Sequence, residues 1–300
     1  MPMHPGSFEI DLNTFREAMR SKDFVLTATL PLKLTATAED IRTSAQKLRE
    51  VVDAAHIAGD RSATGLMDAV AVARLVIDEG LDAVVHVDCR DRNRVGLQGA
   101  LLGLAALGVT SVVLSRGQKL PDELRGKVKG VFDTGTLQLI EMCRRVGADP
   151  ARVSPPGTYM GCRVSAMRPA DDWKASAAQK RIDAGVQFLQ ALPCLNMGML
   201  QAYVGKLIAL RITHRASILV DVPVLDSVEA VERIKSDYPG SRIPRRIVRR
   251  LASVRDARAE GIAIAADALR ELRAMPGIAG ANLILDDDPD TAAEVVSACL

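Results

Sequence analysis

The sequence predicts an α/β fold, a single (β/α)8 TIM barrel, and three observations lead to that prediction. Short runs rich in Val, Ile, Leu and Ala alternate with longer amphipathic stretches along the chain of 300 residues. Eight such runs can be counted, which is the number of strands in this class of barrel. The chain is also long enough, because the fold typically needs about 250 residues. An open doubly wound sheet is the alternative that the same alternation permits.

The predicted strands are short apolar runs that end in polar residues or glycine. They are residues 24–30, 52–57, 83–87, 109–114, 158–165, 186–190, 217–222 and 279–285. The stretches between them have the apolar periodicity of amphipathic helices. These helices are residues 38–51, 66–79, 94–107, 134–146, 171–184, 197–210 and 286–298, with extra helices in the region 244–274, before the last strand. Residues 1–300 are therefore predicted to form one barrel domain, with residues 1–20 as an N-terminal extension or helix.

The composition excludes several classes of partner. The formal net charge is +2 and aromatic residues make up 3% of the chain, so neither nucleic acid nor a membrane surface is an expected partner. The five cysteines include no C-x-x-C pair, and their odd number argues against a disulfide framework and for a reducing cytoplasm. The N-terminus lacks the features of a signal peptide, and no apolar run is long enough to span a bilayer. We therefore expect a cytoplasmic protein.

Residues 82–118 contain the main candidate site. They are predicted to form a strand, a polar loop, a helix with leucines at helical spacing, a second strand and a second polar loop. His86 and Asp88 lie at the end of the first strand, and Arg116 and Gly117 follow the second. In a parallel βαβ unit both loops lie at the carboxyl ends of the strands, where such folds bind ligands. These residues are therefore candidates for ligand binding.

Each of these residues also has an ordinary structural interpretation. His86 is either a core histidine with a satisfied hydrogen bond or a donor to a cofactor carbonyl or phosphate. Arg116 and Gly117 form either a simple turn or a phosphate contact, in which glycine lets backbone amides approach and arginine supplies a fork of donors. The charged run at residues 90–94 is more often a solvated loop than an anion site. No spacing of Cys, His or carboxylates predicts a metal site.

Four segments, in their order and spacing, resemble the methylenetetrahydrofolate reductases, which are flavin enzymes of one-carbon metabolism. The segments are residues 86–117, residues 131–139, residues 181–190, and residues 242–244 followed by 259–262 and 272–284. The resemblance covers roughly residues 24–285. It implies a (β/α)8 barrel that holds FAD at the carboxyl ends of its strands. Folate and the nicotinamide cofactor would take turns at the same face of that flavin.

The resemblance also implies roles for individual positions. His86, Arg116 and Gly117 match cofactor-binding positions of the family. Arg181 matches a further one, where the family commonly has lysine. Ala58 stands at the position of a threonine that contacts the flavin, so it is a cofactor-binding position without the polar group.

The chain departs from the family at positions that carry chemistry. Thr29 stands where the family has the glutamate that acts as general acid, and a threonine hydroxyl does not ionise usefully near neutral pH. Gln118 replaces an aspartate near the flavin ring, and Leu192 replaces a glutamine that contacts folate. Because residues 24–38 contain no acid, Asp60 and Asp88 are the alternative proton donors that we consider. Thr29 and Leu192 are the predicted substrate-binding positions, and Asp88, Asp60 and Gln118 are the catalytic candidates.

Three functional hypotheses remain open from the sequence. The first is a divergent reductase that converts the methylene carrier to its methyl form with another acid. The others are a folate- or pterin-binding homologue with different chemistry, such as methyl transfer, and a silent subunit of a reductase complex. FAD and NAD(P)H are possible cofactors, FAD binding is predicted to be weak or absent, and no metal is expected. The expected ligand is a reduced folate or pterin, and a homo-oligomer and a hetero-complex with another one-carbon enzyme both remain possible.

Overall fold

Eight parallel strands close into a barrel in a computed structural model that describes residues 14–59, 65–124, 126–148 and 157–299. Each strand pairs with the next along the chain, and β1 also pairs with β8. The strands are β1 (Val25–Thr29), β2 (Ala54–Ile57), β3 (Ala83–Asp88), β4 (Ser111–Ser115), β5 (Tyr159–Val164), β6 (Phe188–Ala191), β7 (Ser217–Pro223) and β8 (Gly280–Ile284). The predicted barrel is confirmed, and the open sheet is wrong.

Helices surround the barrel, as the sequence predicts. They are α1 (Phe15–Ser21), α2 (Ala38–Arg49), α3 (Ala69–Asp78), α4 (Arg94–Ala106), α5 (Thr136–Gly147), α6 (Ser176–Asp183), α7 (Met197–Ala209), α8 (Val228–Asp237), α9 (Arg245–Ala252), α10 (Ala257–Ala274) and α11 (Thr291–Cys299). The extra helices before the last strand are confirmed as α9 and α10, whereas α8 was not predicted. None of the helices in the described part of the chain has the length and hydropathy that crossing a bilayer requires.

Side chains within the barrel form layers, because alternate residues of each strand face its interior. The layer at the amino-terminal ends of the strands is apolar. Its buried members are Phe15, Ala18, Val25, Ala54, Val84, Val113, Tyr159, Phe188 and Leu219. The rings of Tyr159 and Phe188 stack with their centroids 5.1 Å apart, and Phe15 meets both of them edge-on. This layer closes one end of the barrel with aromatic side chains.

Helix α1 lies across that closed end and is fixed there by Asp82. The Phe15 backbone N–H donates to Asp82 Oδ2 at 2.7 Å, and the Ala83 N–H donates to Oδ1 at 2.9 Å. Thr14 and Glu17 form a capping box that begins the helix. Burial raises the pKa of Asp82 to about 6, although the two backbone hydrogen bonds act in the opposite direction.

The layer above the aromatic residues is polar and connected by hydrogen bonds. Asp221 Oδ1 accepts from Gln190 Nε2 at 2.6 Å and from Asn282 Nδ2 at 2.8 Å. Asn282 Nδ2 also donates to Thr29 Oγ1 at 3.1 Å, and Thr27 Oγ1 lies 3.2 Å from Asn282 Oδ1. Because buried polar groups need partners, this network holds the strands β1, β6, β7 and β8 in register just below the open end of the barrel.

Candidate functional site

The carboxyl ends of the strands open into two adjoining compartments. The larger compartment has a volume of about 760 Å³ and is lined mainly from the ends of β3, β4, β5 and β6. The smaller compartment has a volume of about 210 Å³ and is lined from β1, β2, β8 and helix α8. Gly59 and Asp237 line both compartments, so the two spaces share a wall.

The predicted site residues are divided between these compartments. The larger compartment is lined by seven of them: His86, Asp88, Arg116, Gly117, Gln118, Arg181 and Leu192. Thr29 and Ala58 line the smaller compartment. Asp60 lies outside the described residues. The two positions predicted to bind substrate, Thr29 and Leu192, therefore lie in different compartments.

Gly117 lies where the loop after β4 comes close to the end of β3. Its φ of +82° is in the left-handed region that favours glycine, and a Cβ built there would lie 2.8 Å from Asp88 Oδ1. The same carboxylate oxygen accepts from the Arg90 backbone N–H at 3.0 Å. The Gly117 N–H donates to Ser115 Oγ at 3.1 Å. A glycine at this position therefore lets the Asp88 carboxylate sit against the turn that follows β4.

Arg116 and Arg181 are the cations best suited to hold an anionic ligand. The Arg116 guanidinium lies 5.5 Å from the centroid of the Phe132 ring, and Arg181 donates to the backbone carbonyl of Arg163 at 2.8 Å. Neither arginine has a carboxylate partner within the part of the chain that the structure describes. Both line the larger compartment, so their positive charge favours an anion there.

Both ring nitrogens of His86 have hydrogen-bond partners within the protein. Arg163 Nη2 lies 3.0 Å from His86 Nδ1, and a guanidinium has no acceptor, so Nδ1 must accept. We therefore assign the His86 proton to Nε2, which lies 2.9 Å from His56 Nδ1. By the same reasoning His56 carries its proton on Nε2, for which no hydrogen-bond partner is found among the described residues.

The His56–His86 pair is held neutral. Burial, with the charge of Arg163 as a second cause, lowers the pKa of His56 to about 3. A neutral pair can order Arg163 from one side without repelling its charge. From another side the Arg163 guanidinium lies over the Tyr238 ring, 5.3 Å from its centroid.

The end of α8 forms the partition between the compartments. Gln118 Nε2 donates to the backbone carbonyl of Asp237, which ties this end of the helix to the loop after β4. Tyr238 lines the smaller compartment while Arg163, stacked on it, lines the larger one. Helix α8 is capped by Ser227, whose hydroxyl accepts from the Ala230 N–H, and it places Asp237 and Tyr238 over the mouth.

Sequence reasoning missed His56, Arg163 and Tyr238. Arg163 had a usable signal, since it shares the alternation of Tyr159 and Gly161 in an otherwise uncharged strand and so had to face the interior. His56 gave no comparable signal inside a four-residue buried strand. Tyr238 was missed because α8 was not predicted.

The flavin ring that the resemblance implies does not fit these residues. Ala58 offers no polar side-chain atom, and the Gln118 amide is bound to the backbone of Asp237. The resemblance places both Ala58 and Gln118 beside the flavin, but the two residues line different compartments, with the Arg163–Tyr238 stack between them. We therefore assign no step to a flavin. The described residues also contain no group of three or more His, Cys, Asp or Glu side chains arranged to hold a metal ion.

A protein from Clostridium thermocellum that binds two copies of 5-methyl-5,6,7,8-tetrahydrofolic acid has a similar structure, with a TM-score of 0.67 and 12% sequence identity over 94% of this chain and 96% of that one. A flavocytochrome b2 mutant matches with a TM-score of 0.49 and 12% identity over 92% of this chain and 62% of that one. No curated protein matches the sequence. The family model for methylenetetrahydrofolate reductase matches residues 12–283. The chain belongs to the methylenetetrahydrofolate reductase family.

Proposed function

We propose that this chain binds a reduced folate in the mouth of its barrel and acts in one-carbon metabolism. The observation that carries the proposal is the position of Arg116 and Arg181 in the larger compartment, without carboxylate partners among the described residues. The glutamate end of a folate carries carboxylates, which arginine binds through paired hydrogen bonds. The volume of about 760 Å³ lies within the roughly 300–1,000 Å³ usual for small-molecule sites. The folate bound by the Clostridium protein supports the same ligand class.

The proposal treats the chain as a folate-binding member with altered or absent reductase chemistry. Thr29 replaces the acid that the family uses, and its hydroxyl accepts a hydrogen bond from Asn282 within the barrel network. Removing one general acid typically lowers a rate by about 10²–10⁴-fold. Two roles are consistent with a chain that binds folate but lacks this general acid. They are methyl transfer within a larger system and a silent subunit beside an active reductase.

A divergent reductase is the second candidate function. The position of Asp88 in the larger compartment favours it. Its carboxylate lies in the larger compartment against Gly117, where a bound folate would meet it. In this role Asp88 would act as the proton donor in place of Thr29, with NAD(P)H as the reductant.

Calorimetry with 5-methyltetrahydrofolate tests the binding proposal. We expect the parent to bind, and Arg116→Ala and Arg181→Ala each to weaken binding roughly tenfold to hundredfold, because a charge-assisted hydrogen bond contributes about 1.5–3 kcal/mol. Arg249→Ala is the matched control, since Arg249 is exposed on α9 and has no part in either compartment. A parent that binds no reduced folate, or two arginine variants that bind as the parent does, would contradict the proposal.

An assay of NAD(P)H-dependent reduction of methylenetetrahydrofolate, with FAD added, separates the two candidates. We expect no turnover by the parent, because Thr29 supplies no proton donor and the flavin ring does not fit the residues of the two compartments. Turnover by the parent that disappears in Asp88→Asn would instead establish the divergent reductase.

A further inference from the structure

Resting on the proposed function, we infer that the two compartments receive opposite ends of one folate molecule. The smaller compartment takes the reduced pterin ring, and the larger one takes the p-aminobenzoyl-glutamate portion with its carboxylates. The inference follows from the sizes of the two spaces, from the polar groups that line each, and from their shared wall.

The volumes of the two compartments indicate which part of the folate each one receives. A volume of about 210 Å³ is below the roughly 300–1,000 Å³ of complete small-molecule sites, so the smaller compartment fits one ring system of a longer ligand. The larger compartment has space for the remainder. Gly59 lines both compartments, and a Cβ there would lie 3.3 Å from Asp88 Oδ2, so the missing side chain leaves space at the wall that the two share.

The smaller compartment is lined by acceptors and apolar groups. Asp237, Asp286 and the Thr29 hydroxyl supply its oxygen atoms, and Leu30 and Ile284 are among its apolar walls. The one arginine among the described residues that line it, Arg233, forms ion pairs with Asp286 and, at 3.8 Å, with Asp226. A reduced pterin is a flat bicyclic ring with several N–H donors along its edge. Acceptor oxygens around an apolar slot therefore complement this ring and would repel a carboxylate.

The larger compartment has a net positive lining. Arg90, Arg116, Lys119, Arg163 and Arg181 line it, against the carboxylates of Asp88, Asp122 and Asp237. Arg116 is held over an aromatic ring, and Arg181 is held by a backbone carbonyl, so both guanidinium groups are ordered before a ligand arrives. A preorganised fork loses less conformational entropy when it binds a carboxylate. The glutamate end of the folate is therefore the part that this compartment selects.

The test compares tetrahydrofolate with tetrahydropteroate, which lacks the glutamate, on parent and variant proteins. The parent should bind tetrahydrofolate at least tenfold more tightly. In Arg116→Ala and Arg181→Ala this preference should shrink toward one, since the protein partner of the glutamate has been removed. Ala58→Leu fills the smaller compartment, so it should weaken both ligands by a similar factor and keep their ratio. If Ala58→Leu does not fold, Ala58→Val, which adds less volume, is used in its place. Arg249→Ala is again the control.

The outcomes separate this inference from the function on which it rests. If the parent binds neither ligand, the proposed function itself fails. If the parent binds both ligands equally, folate binding stands and the assignment of the glutamate to the larger compartment is overturned. The orientation is reversed if Ala58→Leu abolishes the preference for tetrahydrofolate while the arginine variants keep it.

Discussion

His86 donates a hydrogen bond of 2.9 Å from its Nε2 to His56 Nδ1, and Arg163 determines the direction of that bond. Because arginine only donates hydrogen bonds, His86 Nδ1 must accept, and the His86 proton lies on Nε2. That proton is donated to His56 Nδ1, so the His56 proton also lies on Nε2. A chain of one cation and two neutral imidazoles thus runs from the larger compartment into the interior of the barrel.

The tautomers are directly measurable. The chain contains four histidines, so a long-range ¹H–¹⁵N spectrum of the imidazoles is simple to assign with single variants. We expect His56 and His86 both to show a protonated Nε2 and a bare Nδ1 at neutral pH. Arg163→Met, which keeps the stem without the donor, should change the His86 pattern and leave exposed His214 unaffected. A proton on His86 Nδ1 in the parent would refute the assigned network.

The acid dependence of stability should report His56. Its pKa is lowered from the ordinary 6.5 to about 3, so the unfolded state gains a proton first as the pH falls. The stabilisation is complete above pH 6.5 and is lost progressively as the pH falls toward 3, by about 1.4 kcal/mol per pH unit at most. In urea unfolding, the stability advantage of the parent over His56→Gln should therefore shrink between pH 7 and 5. His214→Gln is the control, and an advantage that stays constant with pH contradicts the prediction.

Asp82 should act with the opposite sign. Its pKa is raised from the ordinary 3.8 to about 6, so the folded state gains a proton before the unfolded state does. The stabilisation is complete below pH 3.8 and is lost as the pH rises through 6. The stability of Asp82→Asn relative to the parent should therefore be highest near pH 7.5 and fall toward pH 4.5. The exposed Asp172→Asn variant supplies the baseline, and a relative stability that rises on acidification would show that the Asp82 pKa is not raised.

Gly117 and Gly108 form a matched pair for measuring the close approach to Asp88. Both have φ near +82°, at +82° and +83°, so an alanine at either site carries a similar backbone strain of about 1–2 kcal/mol. A Cβ at Gly108 meets nothing within 4 Å, whereas one at Gly117 lies 2.8 Å from Asp88 Oδ1. Gly117→Ala should therefore lower the denaturation midpoint more than Gly108→Ala, and it alone should weaken folate binding. Equal denaturation midpoints for the two variants would mean that Asp88 moves away from the new methyl group without loss of stability.

The fold was predictable because its signals are local and repeated. Each of the eight strands is a short apolar run, and helix starts carry ordinary caps such as Thr37 before α2 and Asn93 before α4. Helix α8 was missed although Ser227 caps it and its buried residues Ala230, Val231 and Ile234 have helical spacing. The extra helices predicted for residues 244–274 are α9 and α10, and Asp256 caps the second after α9 ends at Ala252.

The site was predictable only in part, because its partition depends on contacts distant in sequence. Strand ends identify His86, Arg116 and Thr29 as mouth residues, since parallel strands bring their carboxyl ends together. That Thr29 and Leu192 face different compartments follows from the Arg163–Tyr238 stack, which joins residues 75 positions apart by their numbering. No periodicity encodes such a contact.

The aromatic layer around Phe15, Tyr159 and Phe188 bears on how such a chain evolves. It shares no residue with either compartment, and its packing is tight enough that a Cβ at Gly161 would lie 2.2 Å from Phe188. Selection on the ligand can therefore exchange residues at the mouth while this layer continues to supply folding stability. A chain built in this way can exchange residues at the mouth and still retain a folded scaffold on which a new specificity can be selected.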